Sequence, residues 1–163
     1  MTTRILVAML LAVTLANAQT DDRRYFDFWE GTWVQEVDGK PDTSKTVFRV
    51  TRSVNRNTFE EDWKMVLGAT TMRAKGVRAW DDSTKAWPYL WISDAGHYQI
   101  WDGRKADGNW YIYRHFDFGT DKYLSRQAWI PESPTRLMRV SEKSYDEGKT
   151  WELRFKEYYQ RVK

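Results

Sequence analysis

From Thr32 onward, apolar and polar residues alternate with period two, and turn-forming residues recur about every 8 to 12 positions, which is the pattern of an all-β sandwich or barrel. The pattern predicts ten strands: Thr32–Val37, Lys45–Val54, Thr58–Leu67, Thr70–Trp80, Ala86–Ser93, His97–Asp102, Trp110–Phe118, Lys122–Ile130, Thr135–Ser144 and Thr150–Val162. Between them lie turn signals such as Asp38-Gly39-Lys40-Pro41, Asp94-Ala95-Gly96 and Ala106-Asp107-Gly108-Asn109. Pro131 to Pro134 reads as a break, and Pro88 as a strand end, edge or bulge. Only the segment before Thr32 invites a helix: Asp21 or Asp22 caps one or two turns through Trp29, and Gly31 ends them. A meander of this length has two open edges unless its last strand returns to its first. A single closed antiparallel up-and-down barrel with a short helical plug is therefore the expected fold.

Alternation also assigns faces. Phe59, Glu61, Trp63, Met65 and Leu67 share a side opposite Glu60, Asp62 and Lys64, so the first set is expected inside and carries Glu61 with it. A carboxylate there needs a partner, because burying it alone costs several kcal/mol or forces protonation. In the last strand, Trp151, Leu153, Phe155, Glu157 and Tyr159 oppose Glu152, Arg154, Lys156 and Gln160 in the same way. Two strands are apolar on both sides. Trp87, Tyr89, Trp91 and Ser93 face away from Leu90 and Ile92, while Tyr111, Tyr113 and His115 face away from Trp110, Ile112, Arg114 and Phe116. Such strands leave an outer cover open, either the N-terminal segment or a second copy in a homodimer.

The N-terminus changes the compartment. Arg4, an apolar run from Ile5 to Ala16, and Ala16-Asn17-Ala18 form the three parts of a secretory signal peptide, so residues 1–18 are expected to be removed and residues 19–163 to form one domain. The run is about a dozen residues, short of the roughly 20 that span a bilayer, so no membrane anchor is expected. With no cysteine there is no thiol to acylate and no disulfide. A periplasmic or secreted protein held together by its own core follows. Without Arg4 the 26 basic residues become 25, against 23 acidic ones dispersed among them, which gives no basic stripe for nucleic acid.

The composition is unusual in its aromatic content, 16% with 10 Trp, beside a low mean hydropathy of -0.76. Large amphipathic rings either fill half-buried strands or line a ligand cavity. Metal and nucleotide chemistry find little support. His97 and His115 are the only histidines, in no metal-ligand spacing, and no glycine-rich phosphate loop is present, so no metal or cofactor is expected. What remains is a constellation. Glu61, Arg78, Gln99, Tyr113, His115, Gln127 and Arg139 interleave with Trp63, Tyr89, Trp91, Trp101 and Trp129. Converging inside a barrel, the rings would enclose an apolar body while the polar groups hold a carboxylate, phenol or carbonyl. Arg78 or Arg139 could equally form a structural ion pair with Glu61.

Several landmarks together resemble a known pattern. These are FDFWEGTW at Phe26 to Trp33, EDW at Glu61 to Trp63, the spaced Trp80, Asp81, Lys85 and Trp87, Asp107-Gly108, and EGKTW at Glu147 to Trp151. The Gly31-Thr32-Trp33 element resembles the first-strand signature of the calycins, the lipocalin and fatty-acid-binding-protein superfamily. The fuller series is similar to a poorly characterised family of exported bacterial calycin-like proteins that open FDFWxGxW. This resemblance implies a barrel with a ligand cavity, and a Trp33 that seats the closed end beneath an arginine of the last strand, Arg154 or Arg161. Haem is not implied, since His115 lies far from the C-terminus, where related haem-binding barrels keep their ligand. Ser141 departs from the pattern, which has an aromatic residue there.

Three functions fit. The first is binding of a small, largely apolar or aromatic molecule through Trp63, Arg78, Tyr89, Trp91, Gln99, Trp101, Gln127, Trp129 and Arg139. The second is acid/base catalysis on a small aromatic or carbonyl compound by His115, Tyr113 and Glu61. The third is an interaction module that uses an exposed aromatic strand face.

Overall fold

A computed structural model describes residues 21–162; the expected signal peptide lies outside the described residues. Asp21 caps a 3₁₀ helix, Asp22–Phe28, its carboxylate accepting from the Arg23 amide. The strands are β1 Gly31–Val37, β2 Lys40–Pro41, β3 Val47–Arg52, β4 Thr58–Leu67, β5 Thr70–Ala79, β6 Tyr89–Ser93, β7 Tyr98–Ala106, β8 Asn109–Asp117, β9 Lys122–Ser133, β10 Arg136–Ser144 and β11 Glu152–Val162. Each long strand pairs antiparallel with its neighbours in sequence, and β11 returns to β1 with Thr32 opposite Val162 and Gln35 opposite Tyr159. The ten long strands thus form a closed up-and-down barrel, and β2 is an extra two-residue strand folded back on Glu36 and Val37.

The expected order of elements holds, with local differences that have physical causes. Gly31 does not cap the helix but opens β1, at a φ of 134° that disfavours a side chain. Pro131 does not break the chain. It stays inside β9 opposite Leu137, where a register shift absorbs its missing amide donor. In β11 a bulge inserts Arg154 between Leu153, paired with Glu142, and Phe155, paired with Ser141. That extra residue inverts the alternation. Phe155, Glu157 and Tyr159 follow the expected inward phase, whereas Leu153 is exposed and Trp151 packs on the outside against Tyr113.

The helix plugs one end of the barrel. Trp87 Nε1 donates to the Asp22 carbonyl at 2.8 Å, and the Tyr25 hydroxyl donates to Asn109 Oδ1 at 2.9 Å. Asp27 accepts from Arg24, Arg52 and Arg56, which ties the helix to the β3–β4 loop. Burial pushes the Asp27 carboxyl up, but these arginines outweigh it and hold the group below the ordinary carboxylate range. Beneath the helix, Trp33 is fully buried, donates to the Trp29 carbonyl at 2.9 Å and lies 4.7 Å under the Arg161 guanidinium, so of the two arginines the resemblance allowed it is Arg161 that covers Trp33.

Of the two apolar outer faces, one is covered and the other is open. On β8, Tyr111 and Tyr113 pack with Leu124, Ala128, Val140 and Trp151 in a second, external cluster. On β6 and β7, the cross-strand pairs Leu90 with Ile100 and Ile92 with Tyr98 lie on the outer face, and Ile92, Tyr98 and Ile100 are exposed.

Candidate ligand-binding site

Glu61 and Arg78 are both fully buried and face each other inside the barrel, Arg78 Nε standing 3.5 Å from Glu61 Oε1. Alternation on β4 and β5 puts them there. Three donors converge on the carboxylate: Trp29 Nε1 at 2.8 Å, Trp63 Nε1 at 2.9 Å and the Tyr89 hydroxyl at 2.9 Å. The Arg78 guanidinium is enclosed by rings instead, 4.4 Å from Phe26 and 4.7 Å from both Tyr89 and Trp129. Glu61 is therefore saturated by structural partners, in the ion-pair role left open for it. Burial, reinforced by the Glu61 charge, raises the Tyr89 hydroxyl well above its ordinary pKa, so it remains a hydrogen-bond donor at neutral pH.

This ion pair underlies a cavity of about 320 Å³ that opens away from the helix, toward the β6–β7 and β8–β9 turns. Seven of the nine expected binding residues line it: Tyr89, Trp91, Gln99, Trp101, Gln127, Trp129 and Arg139. Arg78 lies behind Tyr89 and Trp129, and Trp63 stacks on Phe48 with ring centroids 3.9 Å apart, so these two support the wall without lining it. Met65 and Met72 contribute soft, adaptable surface. Arg139 is held by Gln127 Oε1 at 3.0 Å and Glu157 Oε2 at 3.2 Å, and the same Glu157 oxygen accepts from the Tyr159 hydroxyl.

The acid/base trio is not assembled. His115 and Tyr113 occupy the outer phase of β8, because Ile112 and Phe116 take the cavity side. The His115 side chain is 64% exposed, and its Nε2 meets Glu147 Oε2 at 2.9 Å. Tyr113 packs against Trp151 outside, so neither residue shares a space with Glu61. Both faces of β8 carry rings, which is why alternation alone could not choose between them.

The cavity also contains residues that were not anticipated in this role. Ile112, Phe116, Phe118, Tyr123 and Phe155 complete its apolar wall, and His97 and Arg154 complete its polar one. For Phe155 the inward phase of β11 was a usable signal. For Arg154 the alternation pointed outward, since a bulge leaves no local mark in the sequence. A larger concavity of about 670 Å³ lies across β3–β6 among Arg49, Asp62, Lys64, Arg73 and Lys75. These charged side chains occupy the solvent-facing phase of their strands, so this concavity lies outside the barrel. Among the described residues, no cluster of three or more His, Asp or Glu is placed to hold a metal ion. The sequence matches no protein-family model and no curated protein.

Proposed function

We propose that this chain is a calycin-like barrel that binds a small, largely apolar or aromatic molecule in its interior, without turning it over. The observation that carries this reading is the cavity itself. Its walls are built mainly of rings and methionines, with a few convergent polar groups, which is the usual make-up of a small-molecule site. At about 320 Å³ it suits a compact ligand of one or two rings better than a long extended chain. Catalysis by His115, Tyr113 and Glu61 loses its support, since the first two lie outside and the third is sealed. An exported location, periplasmic or secreted, belongs to the same proposal and rests on the Arg4 to Ala18 leader pattern.

Titrating the mature chain with a panel of aromatic metabolites and lipids tests the reading through Trp fluorescence, because Trp91, Trp101 and Trp129 line the cavity. A saturable change with compact aromatic members is expected. Silence across the whole panel, together with no small molecule retained in native mass spectrometry of protein purified from its own host, would refute it. Mass analysis of that same protein is expected to find Gln19 as the first residue.

A further inference from the structure

Resting on the cavity reading above, we propose that the bound molecule carries a negative charge, and that Arg154, turned into the cavity by the β11 bulge, is the residue that selects it. Every formally charged side chain in the cavity wall is basic: Arg139 and Arg154 line it, and no Asp or Glu does. The two arginines differ in what they have left to offer. Arg139 already spends its charge on Glu157 at 3.2 Å. Arg154 has no carboxylate within ion-pair distance among the described residues. It donates to the hydroxyl of the fully buried Ser125, at 3.5 Å, and its guanidinium lies 5.4 Å from the Tyr123 ring centroid. Both of those neighbours sit on the cavity side of β9, so the bulge has delivered a cation with no protein counter-charge to the cavity mouth.

A guanidinium with no protein counter-charge, at the mouth of a cavity that no Asp or Glu lines, calls for an acceptor-rich, anionic group. Joined to a wall of rings, it describes a small aromatic carboxylate. Arg154 is solvent-accessible, so the charged end of the ligand would lie toward the mouth with its rings directed inward.

Calorimetric titration with naphthoate, neutral naphthamide and cationic naphthylmethylammonium separates the two claims. Naphthoate is expected to bind about ten- to a hundredfold more tightly than naphthamide, the usual gain from one charged hydrogen-bonded contact, and the ammonium compound most weakly. R154Q should bring naphthoate down to about the naphthamide affinity, with naphthamide itself changed far less than naphthoate, and R154K should retain part of the preference. Equal binding of naphthoate and naphthamide to the unmodified chain would overturn the charge inference and leave the cavity reading standing. A preference that survives R154Q would remove Arg154 from the role. Binding of none of the three would count against the cavity reading itself.

Discussion

Gly76 on β5 stands so close to Tyr89 on β6 that a methyl group on its Cα would lie 2.4 Å from the Tyr89 hydroxyl oxygen and 2.7 Å from Glu61 Oε2. The missing side chain is what allows the Tyr89 hydroxyl to reach Glu61. G76A is expected to destabilise the fold by about 1–3 kcal/mol, the usual cost of overpacking. Y89F removes the obstructing oxygen, so G76A combined with Y89F should cost less than the sum of the single changes in urea unfolding. Additive costs would mean that the contact does not limit this site.

Breaking the Glu61–Arg78 pair from either side should unfold rather than inactivate. Removal of one partner from a buried ion pair leaves an uncompensated charge and costs about 3–5 kcal/mol. E61Q and R78M are each expected to show a large drop in the urea midpoint, with little change in slope. Near-native stability of E61Q would show that this carboxylate is not the structural anchor its three donors make it.

Outside the barrel the expectation is the opposite. H115A removes an exposed pair with Glu147, and surface changes of this kind usually stay within about 0.5 kcal/mol. Thermal unfolding and ligand affinity should both be unchanged. A loss of ligand affinity in H115A would restore this residue to the functional site.

Acid should weaken the fold in a definite window. Hydrogen bonds from Ser83 and Thr84 hold the Asp81 carboxyl at about 2, and those from Thr150 and Ser144 do the same for Asp146, against an ordinary value of 3.8. A depressed folded-state pKa means that the unfolded chain takes up protons first. The stabilisation is therefore complete above the ordinary value and is lost as pH falls toward about 2. Unfolding temperatures should be level from about pH 7 to pH 5 and then decline. In D81N and D146N the decline should be shallower.

The architecture was legible because period-two alternation and turn chemistry are local properties, and each strand declares them within a few residues. Glu61 is the clearest case: its neighbours Phe59 and Trp63 fixed its inward direction, and burial then required a partner such as Arg78. Legibility failed where a strand is apolar on both faces or where the register shifts. Alternation leaves Tyr113 and His115 unassigned because β8 has rings on either side, and the choice is made by Trp151 and Arg126 covering the outer one. Leu67 was expected inside and is exposed, because it is the last residue of β4, next to the β4–β5 turn. Arg154 was hidden for a third reason, since one inserted residue inverts the face of everything before it in β11.

Closure of the barrel through β1 and β11 also governs how the chain can fold. Hairpins such as β4 with β5 bring near neighbours together and can form early, but the Thr32–Val162 pairing joins the two extremes of the domain. Loop closure over that distance carries a large entropic cost before any contact rewards it, so folding is expected to be slow. Until β11 has been made, β1 has no partner on that side, and Trp33 has no Arg161 above it. The final dozen or so residues thus decide when the protein becomes native, and the barrel stays unclosed until they are in place.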